Sequence, residues 1–270
     1  MLAIIGGSGL TKLEGLSITR RQVMRTPYGE PSGALTFGRL DGHEVIFLAR
    51  HGYGHTIPPH KVNYRANIWA LHAEGATHVV SVASVGGIHA DLTPGRLAVP
   101  DQIVDYTHGR ETTFQAYGEA QVTHLDFTWP YCPEMRERCL AALRLAGEDV
   151  MHGGTYAAVQ GPRLETKAEI DRLARDGADM VGMTGMPEAY LAREIGLCYA
   201  AIAASVNWAA GRGDSATGIS PEGIEAQLER VMERVRAVLV RLACMDYGDN
   251  LPVTPGGACD IGTGESQNKP

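Results

Sequence analysis

Four apolar runs in this 270-residue chain stop at residues suited to holding an anion. The first ends in Gly6-Gly7-Ser8-Gly9, where bare backbone lets N–H groups converge and Ser8 adds a hydroxyl. That turn has neither the lysine of a Walker loop nor the spacing of a dinucleotide fingerprint. The second ends in Arg50-His51 and continues through His55, His60 and Lys61. Arg50 carries a planar fork of donors that matches a tetrahedral oxyanion. The third ends in Ala83-Ser84-Val85-Gly86-Gly87, the fourth in Met183-Thr184-Gly185-Met186-Pro187-Glu188. Thr184 reads either as a hydroxyl donor near a helix N-terminus or as that helix's cap. His51, His55 and His60 have no acidic residue close by and do not share a helical i, i+4 face, so no metal site is expected.

The elements that must position these residues follow from apolar periodicity. Strands are predicted at Leu2 to Ile5, Ala34 to Phe37, Glu44 to Ala49, His78 to Ala83, Gln102 to Asp105, Gly154 to Val159, Met180 to Met183 and Tyr199 to Val206. Helices are predicted at Asn63 to Glu74, Pro133 to Ala146, Thr166 to Arg175, Pro187 to Ile195 and Pro221 to Cys244. Three of them open on a proline, whose missing N–H has no partner to lose there, and Ser220 precedes the last as a cap. Strands alternating with helices imply an α/β fold, one domain with a mixed, mostly parallel central sheet flanked by helices. Such sheets bind ligands in crevices at the carboxyl ends of their strands, where the four anion-friendly runs stop. Residues 1–245 read as this domain; residues 246–270, rich in proline, glycine and polar residues, read as a flexible tail.

Composition narrows the partners. A formal net charge of -7 argues against a nucleic-acid surface but leaves room for a small anion held by local donors. No run reaches the length of a membrane span, and the glycine-rich start lacks a basic leader, so a cytoplasmic protein is expected. Five scattered cysteines with no C-x-x-C pair read as reduced thiols.

The segments GGSGL, TPYGEPS, ARHGYGHTIPPHKVNYRANIWAL, HLDFTWPYCP, QGPRLET, MTGMPEAYLAREIGLCYA and SVNWA stand in that order over roughly residues 1–243. Together they resemble the trimeric purine nucleoside phosphorylase and methylthioadenosine phosphorylase family. The resemblance implies a homotrimer that uses inorganic phosphate as co-substrate and needs no cofactor. It implies that Ser8, Arg50, His51, Ala83, Ser84 and Thr184 surround the phosphate, with Met183 under the ribose. It puts His55, Pro221 and Ile224 near the 5′ substituent, and His124 in a neighbouring subunit's site. The base would lie by Leu164, Glu165, Asn207 and Ala209.

Within that resemblance, the residues separate the possible bases. The adenine-cleaving members are similar here but carry Asp-x-Asp where this chain has Asn207-Trp208-Ala209, and Ser after an aromatic where it has Leu164-Glu165. A 6-oxopurine offers an N1–H donor and an O6 acceptor, the reverse of adenine. Ionised Glu165 would accept from N1–H, and the Asn207 amide would face O6 and N7. Adenine would instead turn its N1 lone pair on a carboxylate. A plainer reading makes Glu165 the cap of the helix beginning near Thr166, and Asn207 the end of a strand. At the 5′ end, GISPEGIEA has no histidine to meet a hydroxyl, whereas Pro221 and Ile224 suit an S-methyl group. The expected reaction is phosphorolysis of 5′-methylthioinosine, with Asn207, Glu165 and His51 as catalytic residues. A methylthioadenosine phosphorylase and a 6-oxopurine nucleoside phosphorylase of broader 5′ specificity stay open.

Overall fold

The computed structural model describes residues 1–115 and 122–248, so most of the tail expected over 246–270 lies outside the described residues. β1 (Leu2–Gly6) is apolar and buried along its whole length, as suits a strand with neighbours on both sides. It runs parallel to β4 (His43–Ala49) on one side and β5 (His78–Gly87) on the other. Beyond β4, the sheet continues antiparallel through β3 (Leu35–Leu40) and β2 (Leu16–Gln22). On its other flank β5 pairs in parallel with β11 (Cys198–Trp208), which leads to β6 (Leu97–Val99) and β8 (Val150–His152). The last two residues of β5, Gly86 and Gly87, pair antiparallel with β10 (Met180–Gly182), followed in parallel by β9 (Thr155–Ala158) and β7 (Gln102–Asp105). Parallel pairings outnumber antiparallel ones, as expected of the predicted sheet.

The site follows from a split in this sheet. β5 keeps β1 as a neighbour only as far as Ser81 and acquires β10 only at Gly86. Between those points its edge is open. The chain leaving β1 crosses β5 so closely that a Cβ at Gly7 would lie 2.5 Å from the Val82 carbonyl oxygen and 3.0 Å from Arg50 Nη1. Glycine at that position is a packing requirement.

Strand alternation divides the core. Leu2 and Ile4 face one side of the sheet with Val80 and Val82, against α2 (Pro133–Leu145) and α5 (Pro221–Ala243). Ala3 and Ile5 face the other with Val79, against α1 (Tyr64–Ala73) and α4 (Gly185–Glu194). α3 (Lys167–Arg175) closes a smaller cluster with Ile170 and Leu173. All five predicted helices are present. Ser220 caps α5 by accepting from the Gly223 N–H at 3.1 Å. Met186 in α4 is extended (φ −118°, ψ 140°), so the regular helix begins at Pro187, the proline that marks its start in the sequence.

Three strands have no counterpart among those predicted. β2 is exposed along most of its length and rich in arginine, so it carries no apolar signature. β6 and β8 are three residues each, too short for a period. The reduced-thiol expectation fails at one pair. Cys132 and Cys198, 66 positions apart, form a disulfide with Cα atoms 5.1 Å apart. Cys132 immediately precedes α2 and its N–H donates to the Tyr199 carbonyl at 2.8 Å, so the fold brings together two cysteines that no local pattern links. Cys139 and Cys244 are free thiols.

One polar contact crosses the core. Arg50, at the end of β4, meets Glu188, in the first regular turn of α4, with both side chains 1% exposed. Arg50 Nε donates to Oε2 at 2.7 Å and Nη2 to Oε1 at 2.8 Å. Oε1 also accepts from the Ser81 and Tyr199 hydroxyls, each at 2.8 Å. Burial alone would push the Glu188 carboxyl up; the Arg50 charge and these hydrogen bonds hold it below the usual carboxylate value. Glu188→Ala strands a buried guanidinium and should destabilise the fold by about 3–5 kcal/mol. Chemical denaturation checks this, and a loss no larger than that of an exposed Glu44→Ala control would contradict it.

Candidate active site

A cavity of about 560 Å³ occupies the split between β1 and β10, within the range that takes a small ligand. It brings together residues from distant parts of the chain. Ser8 follows β1, Arg50 and His51 follow β4, Ala83 and Ser84 belong to the open stretch of β5, and Met183 and Thr184 follow β10. Leu164, Glu165, Asn207, His55 and Ile224 also line it. Thr184 precedes α4 without a side-chain cap hydrogen bond, so its hydroxyl is not used as the cap that the sequence also allowed.

Three sequence-predicted residues stand outside this lining. Ala209 is 1% exposed and packs with Gly86 and Val181 behind the cavity wall. Pro221 is exposed at the first position of α5, where its ring starts the helix, while Ile224 one turn later reaches the cavity. His124 is exposed and away from its own chain's cavity. Beside Ile224, the lining carries Ile57, Pro58 and Pro59, apolar residues to which the sequence alone assigns no role.

Arg50 differs in use from its expected forked grip on an anion. Its Nε and one Nη2 hydrogen go to Glu188, and Nη2 also donates to Ser81 Oγ at 2.5 Å. Nη1 donates to the Val82 carbonyl at 3.1 Å. Of five N–H bonds, one on Nη1 remains for a ligand. Glu188, which holds the fork, closes the fourth of the anion-friendly runs, where the sequence alone assigns it no role. The available signal was an acid among small and apolar residues, GMPEAYL, at the start of a helix. A carboxylate on a buried face requires a partner.

The turn from His51 to Ile57 fixes one imidazole. Thr56 and Ile57 N–H groups donate to the His51 carbonyl at 3.0 and 3.1 Å, and His51 Nδ1 lies 2.8 Å from the Ile57 carbonyl. A carbonyl only accepts, so Nδ1 carries the hydrogen. Burial, then the adjacent Arg50 charge, lower the His51 pKa to about 4. His55 holds a left-handed backbone (φ 52°) and places Nε2 3.0 Å from Ser8 Oγ.

At the other group of predicted residues, Thr166 accepts from the Glu169 N–H while the Glu169 carboxylate accepts from the Thr166 N–H. That reciprocal pair caps α3, so Glu165 is not the cap. Glu165 is half-buried against the cavity, and its pKa is raised by burial and by neighbouring Glu169, against its own backbone N–H and Arg163. Asn207 does more than end a strand. It sits where a bulge shifts the β11 register against β5, and its amide donates to the Trp208 carbonyl at 2.6 Å. The second amide hydrogen and Oδ1 remain for a ligand. Among the described residues, the trio His78, Glu134 and Cys198 lies within 4.8 Å, but the Cys198 sulfur is bonded to Cys132 and none of the three lines the cavity.

The chain is similar to several nucleoside phosphorylases over most of its length. A probable S-methyl-5′-thioinosine phosphorylase of Pseudomonas syringae pv. tomato is 54% identical over 240 residues, covering 89% of this chain and 97% of that protein. The 6-oxopurine nucleoside phosphorylase of Pyrococcus furiosus is 46% identical over 215 residues, covering 78% of this chain and 80% of that protein. The structure of methylthioadenosine phosphorylase from Schistosoma mansoni with adenine superposes with a TM-score of 0.84 at 32% identity, covering 90% of each chain. The family model described as the phosphorylase superfamily matches residues 1–243. With the fold and the matched length in agreement, the chain belongs to the phosphorylase superfamily.

Proposed function

We propose that this protein cleaves S-methyl-5′-thioinosine with inorganic phosphate, yielding hypoxanthine and 5-methylthioribose 1-phosphate. The carrying observation is that Glu165 and Asn207 share one cavity with Ser8, Arg50, His51 and Thr184. The names of several relatives at 50–55% identity support it.

In this reading phosphate lies among Ser8, Arg50, His51, Ala83, Ser84 and Thr184, and one phosphate oxygen attacks the anomeric carbon as the C1′–N9 bond breaks. Positive charge develops on the ribose, and the adjacent anion stabilises it, so positioning and electrostatics carry the rate. Met183 and His55 flank the sugar. Asn207 Oδ1 accepts from N7–H of the departing purine while the free amide hydrogen meets O6. Glu165 accepts from N1–H. Ile224, with Ile57, Pro58 and Pro59, surrounds the 5′ sulfur and its methyl, where burial contributes roughly 0.8 kcal/mol per methyl-sized group. Ala209 lies behind the wall, so base choice falls to Glu165 and Asn207 with Leu164 as packing.

The base contacts fit any 6-oxopurine nucleoside, the substrate class in the name of the Pyrococcus relative; only the apolar wall selects the 5′ group. Rates on methylthioinosine, methylthioadenosine, inosine and adenosine, with and without phosphate, separate these readings. Methylthioinosine should lead, and turnover should vanish without phosphate. Glu165→Gln and Asn207→Asp should each lower kcat/KM for methylthioinosine about 10- to 100-fold, the worth of a charge-assisted buried hydrogen bond, with a smaller change for methylthioadenosine. An unchanged ratio in both variants sinks the base assignment.

The raised Glu165 pKa gives a pH signature. As pH falls through it, the carboxyl gains a proton and can donate to adenine N1, so the preference for methylthioinosine over methylthioadenosine should narrow on acidification. The drift should be absent in Glu165→Gln; a preference independent of pH in the wild type speaks against the role.

The active unit in this reading is a homotrimer in which His124 of each subunit reaches a neighbour's cavity. His124 is exposed, and the exposed apolar side chains of Val122 and Trp129 flank its segment. Light scattering should give three times the 28.9 kDa chain mass; a monomer at micromolar concentration would rule this out.

A further inference from the structure

We propose that the anion site takes phosphate as its monoanion, with one phosphate hydroxyl donating to His51 Nε2. This rests on the phosphorolysis reading above and adds which ionic form of phosphate reacts.

Hydrogen-bond direction carries the inference. Because Nδ1 donates to the Ile57 carbonyl, a neutral His51 presents Nε2 as a lone pair. The ring lines the cavity, and Nε2 has no protein hydrogen-bond partner among the described residues. A bare dianion offers only acceptors, and two acceptors cannot bond. To grip it, His51 would have to take a second proton.

The surroundings oppose that protonation. Arg50 lies beside the ring, His55 meets it edge-on at 5.1 Å between centroids, and Glu188, the carboxylate facing it, is already tied to Arg50. Burial and Arg50 together keep the imidazole neutral at neutral pH. The charge inventory of the cavity agrees. The Arg50 charge is matched by Glu188, and the other ionised lining residue is Glu165, which is acidic. Among the described lining residues Arg50 is the one arginine or lysine, so no other permanent cation is there to meet a second negative charge. The hydroxyls of Ser8, Ser84 and Thr184 and the remaining Nη1 hydrogen of Arg50 can donate to the unprotonated oxygens.

The reaction balances in this form. An unprotonated oxygen of H2PO4⁻ bonds to C1′ as the C1′–N9 bond breaks and its electron pair goes to the purine. The hydroxyl held at Nε2 stays on the sugar phosphate. The other phosphate proton is the one the purine gains, directly or through solvent, so a sugar phosphate monoanion and a neutral base leave.

The test measures kcat/KM for phosphate at saturating nucleoside on the intact enzyme, across the second ionisation of phosphate. Referred to total phosphate, it should fall about tenfold per pH unit above that ionisation. Sulfate, a dianion with no proton to give, should compete poorly. In His51→Gln the amide can donate as well as accept, so the decline should flatten and sulfate should compete better. If that variant turns over too slowly, calorimetric titration with phosphate and with sulfate reads the same contrast. A wild-type kcat/KM that rises with the dianion, sulfate inhibition as strong as phosphate binding, or a His51→Gln profile parallel to the wild type overturns the proposal. Loss of all phosphate dependence would instead overturn the phosphorolysis reading.

Discussion

The Arg50–Glu188 pair governs the rest of the site. Two charges enclosed in a protein interior are stable only when their remaining donors and acceptors are satisfied. Here Ser81 and Tyr199 complete the carboxylate, and Ser81 and Val82 take further arginine hydrogens. These residues come from β4, β5, β11 and α4, so the pair clamps together the elements whose ends make the cavity. Because the guanidinium cannot move without abandoning a carboxylate in an apolar core, its last N–H points from a fixed place. The rigidity that the proposed anion site would need is thereby supplied from behind the cavity wall.

That clamp would have nothing to line without the split in the sheet. β5 loses β1 after Ser81 and gains β10 only at Gly86. A continuous sheet would fill this space with backbone hydrogen bonds; the gap leaves strand edges and turns free to face a ligand. Small residues are required at its rim, because Gly7 passes against Val82 and Arg50. The anion-friendly turns and the cavity are thus two consequences of one change of strand partner.

Charge within the cavity is sparing. Arg50 is matched by Glu188, His51 is held in one neutral tautomer by the Ile57 carbonyl, and Glu165 brings negative charge beside Asn207. In the proposed reaction, recognition at both ends then depends on which atoms carry hydrogen. A 6-oxopurine brings hydrogen on N1 to an acceptor, and protonated phosphate brings a hydroxyl to another. Polar groups that a bound ligand shields from water discriminate well by this means, because a mismatched partner leaves a buried group unpaired.

The sequence by itself determined the α/β class, all five helices and eight of the strands, because apolar period and caps are local properties. It also placed the four turns and most of the residues that meet in the cavity, since small and hydroxyl residues at strand ends declare themselves. It missed β2, β6 and β8, one charged at the sheet edge and two too short to show a period. What the tertiary structure decided is how those residues are used. Glu188 engages the fork of Arg50 from 138 positions away, Ala209 and Pro221 drop out of the lining, and Cys132 finds Cys198. No local pattern contains these outcomes. They depend on which distant side chain shares an enclosed space, and only the packed chain sets that.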